Sequence, residues 1–470
     1  MQRNRKGTRI GSSFAVLTLL LFIGAGRAKA GEADAKAPGA LSEASEECYD
    51  CHTDETPALA EQWKDSAHAR KNVGCYECHQ AKKGDIDAWE HEGYVVSALV
   101  TPKDCGRCHE KIAAEFAGSH HAKGGQILGS LDNVLGEIVE GIPAANSGCQ
   151  QCHGSKITFE TDPKTGRIVR DEEGRPRLDD ATWPNSGIGR INPDGSLGTC
   201  SACHSRHRFS IEMARRPDNC GKCHLGPDHP QKEIYEESKH GIAFVTADQQ
   251  GKMHLDAKPW IVGVTYSAAP TCATCHMSAT KTQPATHDPG KRLSWTLRPV
   301  VSKRMENWEE KRRNMKNVCA NCHTTAWIEG HYAQYDRVVT LYNEKFGKPA
   351  QRIMKTLAKE GLITPTPFDD KIEWTFFYLW HHEGRRARMG ASMMAPDYTQ
   401  WHGFYEVAER FYMEFIPEAR EIAHGNAAVT QVIDEVMSMP QHTWIEGLSP
   451  EAAQKVREYY RKRYGAEQVE

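Results

Sequence analysis

The chain has 470 residues, of which 59 are basic and 62 acidic, and its formal net charge is −3. Hydrophobic residues make up only 39% of it, and its mean hydropathy is −0.64. These values exclude a protein built from membrane spans, and the near-even balance of charge excludes a strongly basic nucleic-acid-binding protein. The 16 cysteines are the unusual part of the composition, and their positions decide the interpretation.

Residues 1–30 are predicted to be a secretory signal peptide. A basic start is followed by an apolar stretch over 14–23, which is too short to span a bilayer comfortably. Ala28-Lys29-Ala30 has the small-x-small pattern of a cleavage site, so we expect the mature chain to begin at Gly31, exported to the periplasm. An uncleaved membrane anchor is the alternative.

All sixteen cysteines lie in eight copies of the pattern Cys-x-x-Cys-His, between Cys48 and His323. The cysteine pairs are, in order, Cys48 and Cys51, Cys75 and Cys78, Cys105 and Cys108, Cys149 and Cys152, Cys200 and Cys203, Cys220 and Cys223, Cys272 and Cys275, and Cys319 and Cys322. The histidines that follow them are His52, His79, His109, His153, His204, His224, His276 and His323.

This pattern is the attachment signature of a c-type haem. The two thiols form thioether bonds to the porphyrin, and the histidine ligates the iron. Zinc ribbons built from pairs of cysteine pairs are the alternative, but they would leave the eight histidines unexplained. We therefore interpret the motifs as eight covalent c-type haem sites, with no thiol left over for a disulfide or a catalytic nucleophile.

The remaining histidines are numerous enough to supply second ligands. Haems that only carry electrons usually have two protein ligands, whereas a catalytic haem keeps one position open. The chain has 23 histidines, so fifteen remain outside the eight motifs. The candidates chosen as distal ligands are His68, His120, His207, His240, His287 and His402. The sequence does not pair them with particular haems, because distal ligands come from remote segments.

Three regions are predicted: the signal peptide over 1–30, an octahaem-binding region over 31–323 and a helical C-terminal region over 324–470. The motifs are spaced irregularly, which argues against a simple repeat array. With so little aliphatic content, the porphyrin faces must supply much of the buried apolar surface, so short helices and loops should run among the haems. Haems this close in sequence should form an electron wire. Residues 157–170 are predicted to form a small hairpin.

The C-terminal region contains no cysteine and has helical periodicity. Apolar residues recur at spacings of three and four over 332–346, over 404–415 and over 429–436. Pro417 is expected to end or kink the second of these helices. Ser449-Pro450 predicts the cap and first turn of a last helix that reaches Tyr464. The predicted fold class is therefore mainly α: a multihaem cytochrome c with short helices and loops around its haems, followed by long helices.

Several stretches resemble the octahaem hydroxylamine oxidoreductase family, over nearly the whole mature chain. Besides the eight motifs, these are Gly226-Pro227-Asp228-His229-Pro230, the Ser-Lys-His-Gly sequence at 238–241 and the Met-Ala-Pro-Asp-Tyr-Thr-Gln-Trp-His-Gly sequence at 394–403. The resemblance implies seven bis-histidine haems and a fourth haem with an open distal face. It also implies a homotrimer, in which a tyrosine of one subunit is covalently bonded to the fourth haem of the next.

Matched residue by residue, the resemblance assigns the fourth haem to the motif that ends at His153. Asp228 and His229 would stand over its open iron, with His229 accepting a proton and Asp228 orienting it or relaying the proton. Tyr398 would be the cross-linking tyrosine, and Tyr405 and Tyr412 are its nearby competitors.

The implied activity is oxidation of hydroxylamine to nitric oxide or nitrite, with electrons passed to a soluble or membrane-associated cytochrome c. Removing the leader takes away six basic residues and lowers the net charge from −3 to −9, which suits a basic electron carrier and argues against a nucleic-acid partner. Two alternatives stay open. One is a hydrazine dehydrogenase, or a nitrite or hydroxylamine reductase, of the same fold. The other is an electron conduit with all eight haems bis-histidine. No Cys-x-x-Cys-Lys motif occurs, which counts against ammonia-forming nitrite reductases.

Overall fold

The computed structural model describes residues 40–128 and 131–465, so the predicted signal peptide lies outside the described residues. The described chain is mainly helical, as predicted, and its four strands are two or three residues long. No helix among these residues is both long enough and apolar enough to cross a bilayer. The sixteen cysteines all fall within the described ranges, and none forms a disulfide.

Helices of the motif-bearing part are short. They are α1 (Glu43–Glu55), α2 (Pro57–Lys64), α3 (Cys75–His79), α4 (Pro102–Gly106), α5 (Glu110–Gly118), α6 (Gly124–Ile127), α7 (Leu131–Asn133), α8 (Ile142–Ser147), α9 (Cys149–His153), α10 (Ile211–Arg215), α11 (Pro217–Gly221), α12 (Gln231–Glu237), α13 (Lys239–Gln249), α14 (Cys272–His276) and α15 (Trp308–Cys319). Short 3₁₀ turns add Ala69–Lys71, Cys200–Ala202 and Pro289–Arg292, and a π-helical turn spans Val134–Val139.

Two antiparallel strand pairs accompany these helices. Strand β1 (Trp89–His91) pairs with β2 (Tyr94–Val96), and β3 (Trp295–Thr296) pairs with β4 (Lys303–Arg304). The hairpin predicted over 157–170 is present as isolated bridges between Thr161 and Ile168 and between Phe159 and Leu178. Its turn is held by Asp162, whose carboxylate accepts bonds from two backbone N–H groups.

The C-terminal part is built from longer helices: α16 (Thr325–Tyr342), α17 (Lys348–Lys359), α18 (Lys371–Phe377), α19 (Gly384–Met393), α20 (Pro396–Thr399), α21 (Glu406–Glu409), α22 (Ile416–Ala423), α23 (Ala427–Met437) and α24 (Pro450–Tyr464). π-Helical turns join several of them, at Asn343–Gly347, Tyr378–Glu383, Gln400–Tyr405 and Arg410–Phe415, and a 3₁₀ turn spans Thr443–Glu446. The helix does not end at Pro417 but runs on to Ala423, because proline is tolerated in the first turn that follows a π-helical segment.

The largest apolar core lies in this C-terminal part. Its fully buried members include Phe411 and Phe415, which come from a helix predicted from its periodicity, and Ile353 and Leu357 of α17, a helix that the periodicity did not predict. Tyr332, Tyr335 and Val339 of α16 form a neighbouring cluster on the face that points back towards the motif-bearing part. The long helices therefore have a core of their own, and the motif-bearing part has a separate, smaller cluster that includes Phe244, Met253 and Trp260.

Candidate functional site: a haem array with one exceptional distal face

Three of the motifs form a single helical turn each, α3, α9 and α14. In one turn, residues i, i+3 and i+4 share a face, so both thiols and the histidine point the same way. Local caps fix these turns. At α14, Thr271 accepts a bond of 3.2 Å from the N–H of Thr274, and at α3 the Glu77 carboxylate accepts one of 2.8 Å from the N–H of Gly74.

Five motif histidines face another imidazole ring at a separation that suits one iron between them. A metal lies about 2.0–2.1 Å from a ligating imidazole nitrogen, so two rings on opposite sides of one iron have centres roughly 6 Å apart. The ring centres lie 6.2 Å apart for His52 and His91, 6.4 Å for His79 and His207, 6.3 Å for His109 and His68, 6.0 Å for His224 and His121, and 6.0 Å for His323 and His240.

The ring of His79 is also held as haem ligation requires. Nδ1 of His79 lies 2.7 Å from the carbonyl oxygen of Ser97, which fixes the tautomer that leaves Nε2 for a metal. The thiol pairs, the facing rings and this fixed tautomer therefore suit covalent haem.

Among the predicted distal ligands, His68, His207 and His240 face motif histidines. His287 is the histidine whose charge acts most strongly on His204 of the fifth motif. His91 and His121 were not chosen from the sequence, and nothing local distinguishes them: His121 follows His120 directly, and His91 ends strand β1.

His120 and His402 take other positions. His120 lies against Gly290, in the turn Pro289–Arg292. From this turn Arg292 donates a bond of 2.9 Å to the Cys275 carbonyl of the seventh motif. His402 is exposed and bonds its own helix through Glu406, 3.0 Å away. The structure does not bring it to a motif histidine of the described chain.

The thiol positions also give the spatial order of the motifs. Neighbouring thiols interact between motifs one and two, two and three, five and six, and seven and eight. The thiols of Cys105 and Cys200, of Cys220 and Cys272, and of Cys152 and Cys223 are close enough to shift each other's pKa. The third motif therefore lies next to the fifth, and the sixth lies next to the seventh. Motifs one, two, three, five, six, seven and eight thus follow one another in a single line. The fourth motif is a branch that lies next to the sixth.

His153 of this branch has a different environment. Besides burial, the charges that act on its ring are those of His229, Asp132 and Asp228. Both nitrogens of the His229 ring are already engaged: Nδ1 lies 2.5 Å from Oδ1 of Asp228, and Nε2 lies 2.9 Å from the carbonyl oxygen of Cys223. The ring centre of His229 also lies 6.0 Å from that of His224, the same separation as between His121 and His224. His229 nevertheless has no free nitrogen for an iron in this arrangement, which leaves His121 as the partner of His224.

Asp228 and His229 form a strongly coupled acid–imidazole pair. Burial alone would raise the pKa of Asp228, but the hydrogen bond from His229 and the nearby charges of His381 and Arg385 lower it to about 2. Burial also opposes a charge on His229, yet the hydrogen bond to Asp228, its carboxylate charge and the Cys223 carbonyl together raise the pKa of His229. The pair thus favours a carboxylate beside an imidazolium.

Three further groups complete this cluster, and the sequence analysis did not select them. Buried Arg385 donates a bond of 3.1 Å to Oδ2 of Asp228. His381, which is 5% exposed, lies 2.9 Å through Nε2 from Oδ1 of Asp132. Asp132 precedes the fourth motif and His381 lies on the π-helical turn before α19. Only tertiary structure brings these residues together, across 249 positions of sequence.

Tyr398 lies on the short helix α20. Its side chain is partly buried against Ile234, Met389 and Ala395. Burial raises its pKa, as do the charges of Glu237 and Glu233 on the helix after Asp228. Of its competitors, Tyr405 is 52% exposed, whereas Tyr412 is buried and bonded to His442.

Two family models match parts of the chain. The model described as "Seven times multi-haem cytochrome CxxCH" matches residues 194–368. The model described as "Cytochrome c554 and c-prime" matches residues 25–80 and 104–168. Together with the paired imidazoles, these matches define the chain as a multihaem c-type cytochrome.

One individual protein is also similar to this chain. A Kuenenia stuttgartiensis protein, described as a probable nitrite reductase-hydroxylamine oxidoreductase fusion protein, is 25% identical over 384 residues, which cover 68% of this chain and 39% of that protein. The chain thus spans about two fifths of the length of this relative. Over about two thirds of its length, the chain is therefore similar to a protein described as a probable nitrite reductase-hydroxylamine oxidoreductase fusion.

Solved structures share the fold. One described as a hypothetical multihaem protein has a TM-score of 0.70 at 22% identity, over 83% of this chain and 98% of that chain. A reducing HAO-like protein complex of Kuenenia stuttgartiensis has a TM-score of 0.59 at 19% identity, over 83% of this chain and 87% of that chain.

Proposed function

We propose that the exported, periplasmic chain binds eight c-type haems and oxidises hydroxylamine to nitric oxide or nitrite at the fourth of them. In this proposal the other seven haems are bis-histidine and carry electrons to a cytochrome c. We assign six of these seven pairs: the first motif pairs His52 with His91, the second His79 with His207, the third His109 with His68, the fifth His204 with His287, the sixth His224 with His121 and the eighth His323 with His240.

The observation that carries the proposal is the environment of His153. Three motif histidines, His153, His204 and His276, have no facing imidazole among the ring pairs described above. Of these, His153 is the one on which carboxylates act, those of Asp132 and Asp228, together with the charge of His229. The imidazole of His229 is held at both nitrogens. A haem held by His153 would therefore have hydrogen-bonding groups near its free side, which a catalytic haem needs and an electron-transfer haem lacks.

When bound, the haem on His153 supplies the iron that takes the nitrogen of hydroxylamine and the path by which electrons leave. The chain handles the protons. Asp228 stays ionised, so it can accept a hydrogen bond from a substrate N–H or O–H group. His229 is hydrogen-bonded to Asp228 and to the Cys223 carbonyl. Its neutral ring accepts a proton, and its protonated ring releases one.

Arg385 and the pair formed by Asp132 and His381 support this exchange. Arg385 is anchored by a second bond of 2.9 Å to the carbonyl oxygen of Arg298, so its guanidinium holds the second oxygen of Asp228 in place. Asp132 is 38% exposed at its side chain, more than Asp228 at 22%. The pair of Asp132 and His381 therefore offers the more solvent-facing site to which protons from Asp228 and His229 can pass.

The experiment that tests this function is a steady-state assay with hydroxylamine, hydrazine and nitrite on the haem-loaded protein. Oxidation of hydroxylamine coupled to reduction of added cytochrome c, with a specificity constant well above that for hydrazine, supports the proposal. Faster consumption of nitrite or hydroxylamine with a reduced dye would instead assign the reductive direction. Absence of turnover with every substrate would assign an electron conduit.

The reductive direction is the second candidate, because the name of one relative joins a nitrite reductase to a hydroxylamine oxidoreductase and one structural neighbour is described as reducing. In the oxidative proposal Tyr398 is covalently bonded to the fourth haem of a neighbouring subunit in a homotrimer. Its partial burial and its position on α20, close to the helix after Asp228, support its choice over exposed Tyr405.

A further inference from the structure

Lys222 lies inside the sixth motif, at the residue before Cys223, and its ammonium group is held in one place. Nζ donates a bond of 2.5 Å to the carbonyl oxygen of Ala202, which belongs to the fifth motif. It donates a second bond, of 2.8 Å, to Oδ1 of Asn219, whose amide in turn donates 2.9 Å to the Cys203 carbonyl. Although Lys222 is exposed, these bonds fix its charge between two motifs.

This charge also reaches the fourth motif. Lys222 acts electrostatically on the thiols of Cys203, Cys220 and Cys223, and on that of Cys152. The thiols of Cys152 and Cys223 are close enough to shift each other's pKa, so the fourth motif lies next to the sixth at this point. The carbonyl oxygen of Cys223 also lies 2.9 Å from Nε2 of His229.

We infer that the positive charge of Lys222 raises the reduction potential of the haem on Cys220 and Cys223. This higher potential favours electron transfer from the fourth haem to the sixth. This inference rests on the proposed haem occupancy, though not on which substrate is oxidised. Reduction adds an electron to a haem, so a fixed positive charge nearby stabilises the reduced form.

The sixth motif is one of two motifs that carry a cation at the residue before the second cysteine. The residue before the second cysteine is Asp50, Glu77 and Arg107 in the first three motifs, and it is uncharged in the fourth, fifth, seventh and eighth. The fourth motif thus has the neutral residue Gln151 at this position, whereas the neighbouring sixth motif has the cation Lys222. This difference favours electron flow away from the fourth haem and towards the sixth.

The test is a potentiometric titration of the haem-loaded protein, followed by absorbance and electron paramagnetic resonance without substrate. Lys222→Met keeps most of the side-chain length but removes the charge. We expect one haem to shift to a lower midpoint potential, while Lys222→Arg restores most of the wild-type value. Raising the salt concentration should lower that midpoint in the wild type and have less effect on Lys222→Met, because salt screens an exposed charge.

Arg107→Gln is the matched control, because Arg107 is the cation of the third motif and its guanidinium binds the Glu77 carbonyl at 2.8 Å. It should shift a different haem and leave the haem affected by Lys222→Met unchanged. Equal midpoints in the wild type and Lys222→Met, or a uniform shift of all haems, would overturn the inference. Because no substrate is present, a protein that fails to oxidise hydroxylamine can still show the shift, so the two failures are distinguishable.

Discussion

Arg385 donates a 3.1 Å hydrogen bond to Asp228, 157 residues earlier in the chain, and so ties α19 to the loop that follows the sixth motif. Through this bond the C-terminal helices, which have their own apolar core, hold the carboxylate of Asp228 in place. These helices therefore contribute to the candidate site as well as to the packing.

Breaking the bond between Arg385 and Asp228 should lower the rate of hydroxylamine oxidation more than it lowers the number of bound haems. Arg385→Gln leaves the carboxylate of Asp228 without its guanidinium partner, and we expect slower hydroxylamine turnover together with a loss of about 1–3 kcal/mol in unfolding free energy. Denaturant titration and steady-state rates measure the two effects. Arg420→Gln is the control, since Arg420 pairs with Asp434 at 2.8 Å on the surface and should cost under about 1 kcal/mol. An unchanged rate in Arg385→Gln would show that Asp228 needs no such anchor.

Asp228→Asn should keep haem content and oligomer mass while lowering turnover by about 10²–10⁴-fold, the range of general acid–base groups. Asp218→Asn, at a side chain 70% exposed and near the same motif, should leave turnover intact. Loss of haem or failure of Asp228→Asn to assemble would mean that Asp228 is structural.

The pH profile gives a separate test of the same pair. The carboxylate of Asp228 raises the pKa of His229, so His229 holds its proton to higher pH than an isolated imidazole. If the neutral ring is the active form, the rate rises as pH increases through this raised pKa. Asp228→Asn removes the raising interaction, so the acidic limb of kcat/KM should move to lower pH in the residual activity. If the acidic limb of kcat/KM lay at the same pH in Asp228→Asn as in the wild type, it would report the pKa of a group other than His229.

Tyr398→Phe tests the proposed covalent link. The wild-type subunits should remain joined through haem on a denaturing gel, with or without reductant, because every cysteine lies in a haem motif. Tyr398→Phe changes volume little, so it should fold, run as single subunits and shift from oxidation towards reduction. Tyr405→Phe, at a 52% exposed side chain, is the matched control and should stay cross-linked. The reverse pattern would move the link to Tyr405.

The sequence predicted the haem motifs, the helical C-terminal part and the class of fold, because each depends on local pattern. Periodic apolar residues such as Tyr342 and Phe346 became buried as expected, whereas Pro417 did not end its helix, since a π-helical turn precedes it. Distal residues were harder to identify. His121 is adjacent to the chosen His120, and Asp132 and His381 meet across 249 positions. Which of two neighbouring histidines faces a motif depends on tertiary packing, which local sequence does not encode.

Ligand replacement tests the pairing of the first motif. His91→Ala should open the haem on His52, because the ring centres of these two histidines lie 6.2 Å apart. The variant should gain one cyanide-binding haem relative to the wild type, as counted by absorbance titration. His402→Ala, at a residue bonded to Glu406 on its own helix, should leave the count unchanged. A gain in His402→Ala and none in His91→Ala would exchange their roles.

The most direct test of the account is the number of haems per chain that bind cyanide in the ferric wild-type protein. With seven haems closed by a second histidine and the haem on His153 open towards Asp132, Asp228 and His229, the account predicts one cyanide per chain. His229→Gln should keep that number while slowing cyanide association, because the distal proton acceptor is gone. A count of zero in the wild type would mean that every haem is closed, and a count of two or more would contradict the assignment of a single open site at His153.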